Sequence, residues 1–300
     1  MQMKFRAHET FYIRQGWLSK GMRAVKEKPD LFVDKQVRAT DVLGIGTSMV
    51  KSLRYWLQAV GLTSEPTKGK RTQFLTDLGT TIYEHDRYIE EIGTLYLLHY
   101  QLVKNAELAT SWHYFYNKFE MREFSRDDFI MQIQTELKLN DVNIALRSLT
   151  DDFNCIVNSY LPKNESEMNN VSPENNISCP FGELGLLNRQ KIYHGITSYK
   201  KLSASATSLD PWVVLAVIFD QSEGKAEVGL QDLLTSENNI GKVFNLDAVA
   251  MLEVLHRIER TGEIKIVRTA GLDIVNIINR LSFQECVENY YAKLEGTVNE

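Results

Sequence analysis

The sequence predicts a mainly α-helical chain. It opens with a winged helix-turn-helix, continues through a central helical region and closes with a second winged-helix-like unit. Three observations predict this. Apolar residues recur at helical spacing along most of the chain. Two segments, one near each end, read as helices followed by a short hairpin. The charge is also uneven. Residues 1–76 hold 14 Lys and Arg against 6 Asp and Glu, a formal +8; residues 77–300 hold 20 against 33, a formal −13. A basic block inside an acidic protein points to a polyanion, because Lys and Arg gain by releasing counterions condensed on phosphates.

The first helix is read from Trp17, Leu18, Met22 and Val25, with Pro29 stopping it. Asp34 is expected to cap a second helix running through Val42-Leu43, with Val37 and Val42 facing inward. Gly44-Ile45-Gly46 makes a tight turn. Thr47 or Ser48 then caps a third helix that ends at Gly61. Its core stripe is Val50, Leu53, Trp56, Leu57 and Val60. Leu62–Ser64 and Gln73–Leu75 pair as short strands around the basic tip Pro66-Thr67-Lys68-Gly69-Lys70-Arg71.

From Asp77 to about Leu161 the chain reads helical, with caps at Thr76 or Asp77 and at Ser125. Residues 162–178 are rich in Asn, Ser, Glu and Pro and read as a mobile linker. Beyond it, Asp210-Pro211 opens an apolar helix, a short helix spans Gly229–Thr235 and a longer one Leu246–Thr261. Glu263–Arg268 and Leu272–Ile277 form a hairpin, and Ser282–Leu294 ends the fold. The expected division is 1–78 (winged helix), 79–161 (central helical domain), 162–178 (linker) and 179–300 (winged-helix-like domain).

A helix fits the major groove of double-stranded DNA, and a helix-turn-helix lays its second helix there. The polar face of the third helix shows Ser48, Lys51, Ser52, Arg54, Tyr55 and Gln58. The serines suit phosphates, Lys51 and Arg54 suit phosphates or guanine, and Tyr55 and Gln58 suit base edges or sugars. Lys68, Lys70 and Arg71 on the wing would hold flanking backbone or enter the minor groove. The bland reading is a solvated helix face, or a winged helix used for protein contacts. The charge asymmetry favours DNA.

Other candidates point to structure rather than chemistry. His8-Glu9 with Arg14 reads as a polar network tying down the N-terminal arm. The aromatic run Trp112, Tyr114, Phe115, Tyr116 and Phe119 reads as core, as do His99 and His113. Glu84, Asp86, Glu90 and Glu91 read as a solvated acidic turn rather than a cation site. Glu263-Ile264-Lys265 mimics half of a nuclease metal site without the usual preceding acid on a paired strand. Cys179 reads as a packed thiol. No phosphate-binding or nucleophile motif is present, so no cofactor, metal or catalytic residue is expected. Three widely spaced cysteines fit a reducing cytoplasm. No apolar run approaches the roughly 20 residues of a membrane span, and the N-terminus shows no apolar signal segment.

Several motifs together resemble one family. They are His8-Glu9-Thr10-Phe11 with Arg14, Gly16-Trp17-Leu18 and Lys20-Gly21; Gly44-Ile45-Gly46 with Met49-Val50 and Arg54-Tyr55-Trp56; and Leu75-Thr76-Asp77-Leu78-Gly79. Asp86, Tyr88, Glu90, Thr94-Leu95, Leu97-Leu98-His99 and Cys179-Pro180-Phe181 with Glu183-Leu184-Gly185-Leu186 continue the match. This is similar to the prokaryotic family called domain of unknown function 4007. Tyr96 and Tyr100 stand where that family commonly has tryptophan. The resemblance implies a DNA-directed accessory role in DNA-modification or phage-defence systems, including phosphorothioation. It brings no catalytic residues.

The expected function is therefore recruitment: a winged helix on double-stranded DNA and an acidic remainder on partner proteins. The alternatives are a transcription regulator, which requires sequence specificity and is expected to be a homodimer, a protein scaffold without DNA, and a nickase or nuclease.

Overall fold

The apolar spacing that predicts the first helix is realised in α1 (Trp17–Glu27), whose Trp17, Leu18, Met22 and Val25 are buried. The structure is a computed structural model that describes residues 3–162, 178–190, 195, 197–269 and 272–298. It is mainly α with three small sheets. After α1 come α2 (Ala39–Leu43), α3 (Thr47–Ala59) and the strands β1 (Thr63–Ser64) and β2 (Phe74–Leu75), antiparallel with Thr63 opposite Leu75. Gly44 turns the chain between α2 and α3 at φ 63°, and Gly61 follows α3 at φ 75°, both in the left-handed region open to glycine.

Three local expectations differ from the structure. The Asp34 carboxylate accepts from the N–H groups of Gln36 and Val37, so it closes a turn before the helix rather than capping it. α2 consequently starts only at Ala39. That leaves Val37 and Val42 at the surface, 37% and 52% exposed, rather than inward. The N-cap of α3 is Gly46, not Thr47 or Ser48, and no side chain caps that end.

The middle of the chain holds α4 (Asp77–His85), α5 (Ile92–Lys104), α6 (Thr110–Asn117), β3 (Glu123–Ser125), α7 (Arg126–Leu139) and α8 (Leu146–Tyr160). Ser125 and Asp128 form a reciprocal capping box on α7. A 3-10 turn (Pro180–Leu184) leads to β4 (Leu187–Arg189) and β5 (Ser198–Lys201). The last part holds α9 (Pro211–Gln221), β6 (Glu227–Gly229), α10 (Leu230–Thr235), α11 (Ile240–Val243), α12 (Ala248–Glu259), β7 (Ile264–Thr269), β8 (Leu272–Ile277) and α13 (Phe283–Val298). Asp210 and Asp247 cap α9 and α12. Most of the expected linker, residues 163–177, and two residues of the hairpin tip, 270 and 271, lie outside the described residues.

A regularity emerges that the sequence did not disclose. Both three-stranded sheets place the third strand between the other two: β3-β5-β4 and β6-β8-β7. Each is fed by a helix, a strand, further helices and then two strands. Residues 123–125 and 198–201 therefore share a sheet although a polar stretch of sequence lies between them. Behind the first sheet, Phe115, Phe119, Phe124, Phe129 and Phe153 pack ring on ring, which accounts for the aromatic run as core. Behind the second pack α12 and α10, while α13 packs on α9 and α4, where Tyr291 meets Thr94 at 2.6 Å.

His99 lies wholly inside. Its Nε2 donates to the Val243 carbonyl at 2.8 Å, so Nδ1 accepts from the Tyr160 hydroxyl at 2.7 Å. Burial holds its pKa down at about 4. An unfolded chain takes up that proton near pH 6.5, so the neutral His99 contributes fully above that pH and its contribution is lost as pH falls towards 4. Urea midpoints measured between pH 7 and pH 4.5 should decline, with about 3 kcal/mol at most from this group. His99→Gln should flatten that part of the slope; an unchanged slope would show that other groups set it.

Gly79 on α4 faces the backbone of the α3–β1 connection, and a Cβ there would stand 2.1 Å from the Leu62 carbonyl oxygen. Neither backbone can yield without moving an element. Gly79→Ala should cost about 3 kcal/mol by urea unfolding, at the upper end of overpacking penalties.

Candidate nucleic-acid interface

The first turn of α3 is the part of the expected reading helix that faces solvent. Thr47, Ser48 and Lys51 are exposed there, next to the exposed glycines of the α2–α3 turn. With Gly46 as N-cap, the leading N–H groups of α3 have no side-chain acceptor. Such an end favours anions, since the helix dipole and the free amides point the same way.

Deeper along the helix the expected face is not available. Ser52 is fully buried and donates to the Phe11 carbonyl. Tyr55 is buried, stacks beside Trp56 and donates to the Leu108 carbonyl at 3.0 Å. The expectation that Ser52 and Tyr55 touch DNA is corrected by this burial. The physical cause is that α3 is covered on a second side, by the N-terminal arm and the loop before α6. The period of the apolar stripe records only one covered side.

Four more expected contacts are engaged within the protein. Glu65, whose side chain is 3% exposed, accepts from Arg54 Nε at 2.5 Å, Arg71 Nη2 at 2.9 Å and Gln58 Nε2 at 3.2 Å. A carboxylate that deep requires donors on its lone pairs, and these three supply them. Arg54 also donates to the Arg71 carbonyl. Lys70 pairs with Asp30 at 2.6 Å, and Lys28 joins Asp30 and Asp34, so the β1–β2 connection is tied to the α1–α2 connection.

What remains is a smaller set of cations. Lys51 on α3 and Lys68 in the β1–β2 connection are exposed, and among the described residues neither has a carboxylate within ion-pair distance. The same holds for Lys35 and Arg38 on the approach to α2, which sequence reasoning did not single out. Their signal was present: both sit in the hydrophilic stretch Asp34–Arg38, flanking Gln36 and Val37.

The other candidates fall into structural places. His8 is buried and donates from Nε2 to Asp152 at 2.8 Å, between Trp56 and Trp112, while Glu9 is exposed and Arg14 stacks on Phe11 and Trp17. Asp86 accepts from the N–H groups of Glu90 and Glu91. His113 bonds the Val103 carbonyl and pairs with Glu237. Burial pushes the Cys179 thiol up to about 12, so it is protonated and unreactive at neutral pH. Glu263 is half-buried just before β7, and Lys265 is exposed opposite Asn276. Among the described residues, no group of three or more His, Cys, Asp or Glu is placed to hold a metal ion, and no helix is long and apolar enough to cross a membrane.

The family model described as "Protein of unknown function (DUF4007)" matches residues 5–291. The chain belongs to this family. Among solved structures, a chain described as "Magnesium ion-bound SspB crystal structure" superimposes with a TM-score of 0.81 at 24% identity, covering 97% of this chain and 87% of that one. Another, "SspB crystal structure", gives 0.78 at 23% identity, covering 98% and 95%. At these identities the likeness is one of fold. No curated protein matches the sequence.

The Glu65 clamp yields a stability test. Glu65→Ala leaves Arg54 partly buried without its anion and should lower the unfolding free energy by about 2 kcal/mol. Arg71→Ala removes only the exposed arm of the clamp and should cost under about 1 kcal/mol. Equal losses in urea titrations would contradict this ranking.

Proposed function

We propose that this protein is a DNA-binding accessory protein of a prokaryotic DNA-modification or phage-defence system. Residues 17–75 act as a winged helix-turn-helix on double-stranded DNA, and the acidic remainder holds partner proteins. The observation that carries this reading is the set of uncompensated cations Lys35, Arg38, Lys51 and Lys68 on the unit that also offers the uncapped start of α3. Phosphates answer both features, because they are anionic and accept several N–H donors. The role is recruitment without chemistry of its own. The family resemblance supports the DNA-modification setting.

The glycine-flanked first turn of α3 is the segment that would approach base edges, with Ser48 and Lys51 leading. Lys68 would reach the flanking backbone. Arg54, Gln58, Arg71 and Lys70 serve instead to hold wing and helix in one geometry, which fixes where the free cations stand.

The magnesium in the description of one structural neighbour raises a metal-dependent nickase as a second reading. Glu263 and Lys265 are the sequence candidates for it, but they do not converge with further ligands among the described residues.

The test is a salt titration of binding to a labelled duplex, read by anisotropy. Changing Lys35, Arg38, Lys51 and Lys68 together to Ala should weaken binding and reduce the slope of log K against log salt by about 3 to 4, near 0.9 for each phosphate that is no longer neutralised. An unchanged slope rules out this surface. No binding by the parent protein at low salt, with partner proteins copurifying, would favour the scaffold. A footprint confined to one promoter sequence, with a dimer, would favour the regulator.

A further inference from the structure

A cavity of about 380 Å³ lies away from α3, between the sheet β3-β5-β4 and the α10–α12 segment. Its walls come from Tyr116 and Phe119 in and after α6, Arg122 before β3, Lys201 at the end of β5, and Lys242 and Leu246 in and beside α11. The volume is within the range of small-ligand sites, which favour junctions between packed units.

Lys201 is the unusual member. It is nine-tenths buried, and its Nζ donates to the carbonyls of Phe115 and Phe119, each at 2.5 Å. Its ammonium also lies over the Phe115 ring at 4.4 Å. Burial, reinforced by the positive charge of Lys242, lowers its pKa to about 7. A neutral amine has two N–H bonds, and the two carbonyls take both. A third N–H exists only in the ammonium form.

The other charged groups on the cavity are accounted for in turn. Glu120 pairs with Lys242 at 3.1 Å. Asp247 accepts from the N–H groups of Val249 and Ala250. Arg122 is exposed, and among the described residues no carboxylate is within ion-pair distance of it. Among the described residues, the cavity is thus lined by one guanidinium with no carboxylate within ion-pair distance and by a lysine that has one N–H beyond its two carbonyl bonds when charged, beside the aromatic and aliphatic side chains of Phe119 and Leu246.

We propose that this cavity binds a small organic oxyanion, with Arg122 and the third N–H of Lys201 on the anionic group and Phe119 and Leu246 against the organic body. Binding is coupled to protonation of Lys201, because only the ammonium has a donor to spare. The ligand therefore takes up a proton with it, and affinity falls as pH rises through 7. A lysine that merely caps α6 predicts no such ligand and no such linkage.

The test uses anions that do not titrate between pH 6 and pH 8, inorganic sulfate and phenyl sulfate, in isothermal titration on the full chain. Phenyl sulfate should bind more tightly than sulfate. Both should bind about tenfold more tightly at pH 6 than at pH 8, with proton uptake seen as a dependence of the heat on buffer ionisation. Arg122→Ala, at an exposed position, should weaken binding at both pH values without unfolding the chain. Lys201→Met should abolish the pH dependence. If that variant does not fold, the Arg122 variant and the pH series on the parent still decide. No binding at pH 6, or affinity independent of pH, overturns the proposal. So does loss, in excess duplex, of the part of sulfate binding that depends on Arg122, since the cavity would then belong to the DNA surface.

Discussion

The carboxylate of Asp152 holds together parts of the chain that are far apart in sequence. It is buried on α8 and accepts from the Arg6 N–H and His8 Nε2 on one oxygen and from Ser111 Oγ on the other. A buried carboxylate costs several kcal/mol unless its lone pairs are met, and here three donors from two distant segments meet them. One of these segments is strained: Arg6, Glu9 and Thr10 all lie at positive φ, a conformation costing on the order of 1 kcal/mol each for such residues. The arm keeps that shape because Asp152 and the rings of Trp56 and Trp112 enclose His8. Its next residues then present the Phe11 carbonyl to Ser52 and to Trp56 Nε1. The rotation of α3 about its own axis is thus set by a carboxylate on another helix, and that rotation decides which side chains face outward.

The same reasoning separates the formal charge of the N-terminal segment from its usable charge. A formal +8 counts Arg54, Arg71 and Lys70, yet Glu65 and Asp30 neutralise them at short range. A phosphate would have to displace a near-buried carboxylate to recruit Arg54, losing as much as it gained. Among the described residues, Lys51 and Lys68 have no carboxylate within ion-pair distance to give up. Paired cations fix α3 against the β1–β2 connection, and the proposed DNA contact rests on the others.

Much of the fold was legible because its determinants are local. Caps at Thr76, Ser125 and Asp210 announce helices whose hydrogen bonds close within a few residues. The two-residue strands β1 and β2 were legible from the basic turn between them. The sheet β3-β5-β4 was not, because β3 and β5 are separated by a long run of chain that includes the polar stretch, which reads as a boundary. At the site, Lys51 and Lys68 were legible as exposed charge. Ser52 and Tyr55 were misplaced because their burial depends on Phe11 and Leu108, partners that periodicity within α3 does not reveal. Glu65 was passed over because an isolated acid in a basic segment looks solvated until its three donors are seen together.

Helix α6 joins these features into one continuous set of contacts. Lys201 holds the carbonyls at its C-terminal end, and Ser111 near its start holds Asp152, which holds the arm that orients α3. Contact by itself carries no coupling; coupling requires an element with two arrangements whose balance both sites bias. Lys201 supplies two states, amine and ammonium, and the ammonium grips the α6 carbonyls more strongly because a charged donor bonds more strongly than a neutral one. Removing Lys201 therefore disturbs α6 as well as the cavity, and a change in DNA binding in that variant would not locate DNA at the cavity. Arg122 touches the cavity without holding α6, so it separates the two effects.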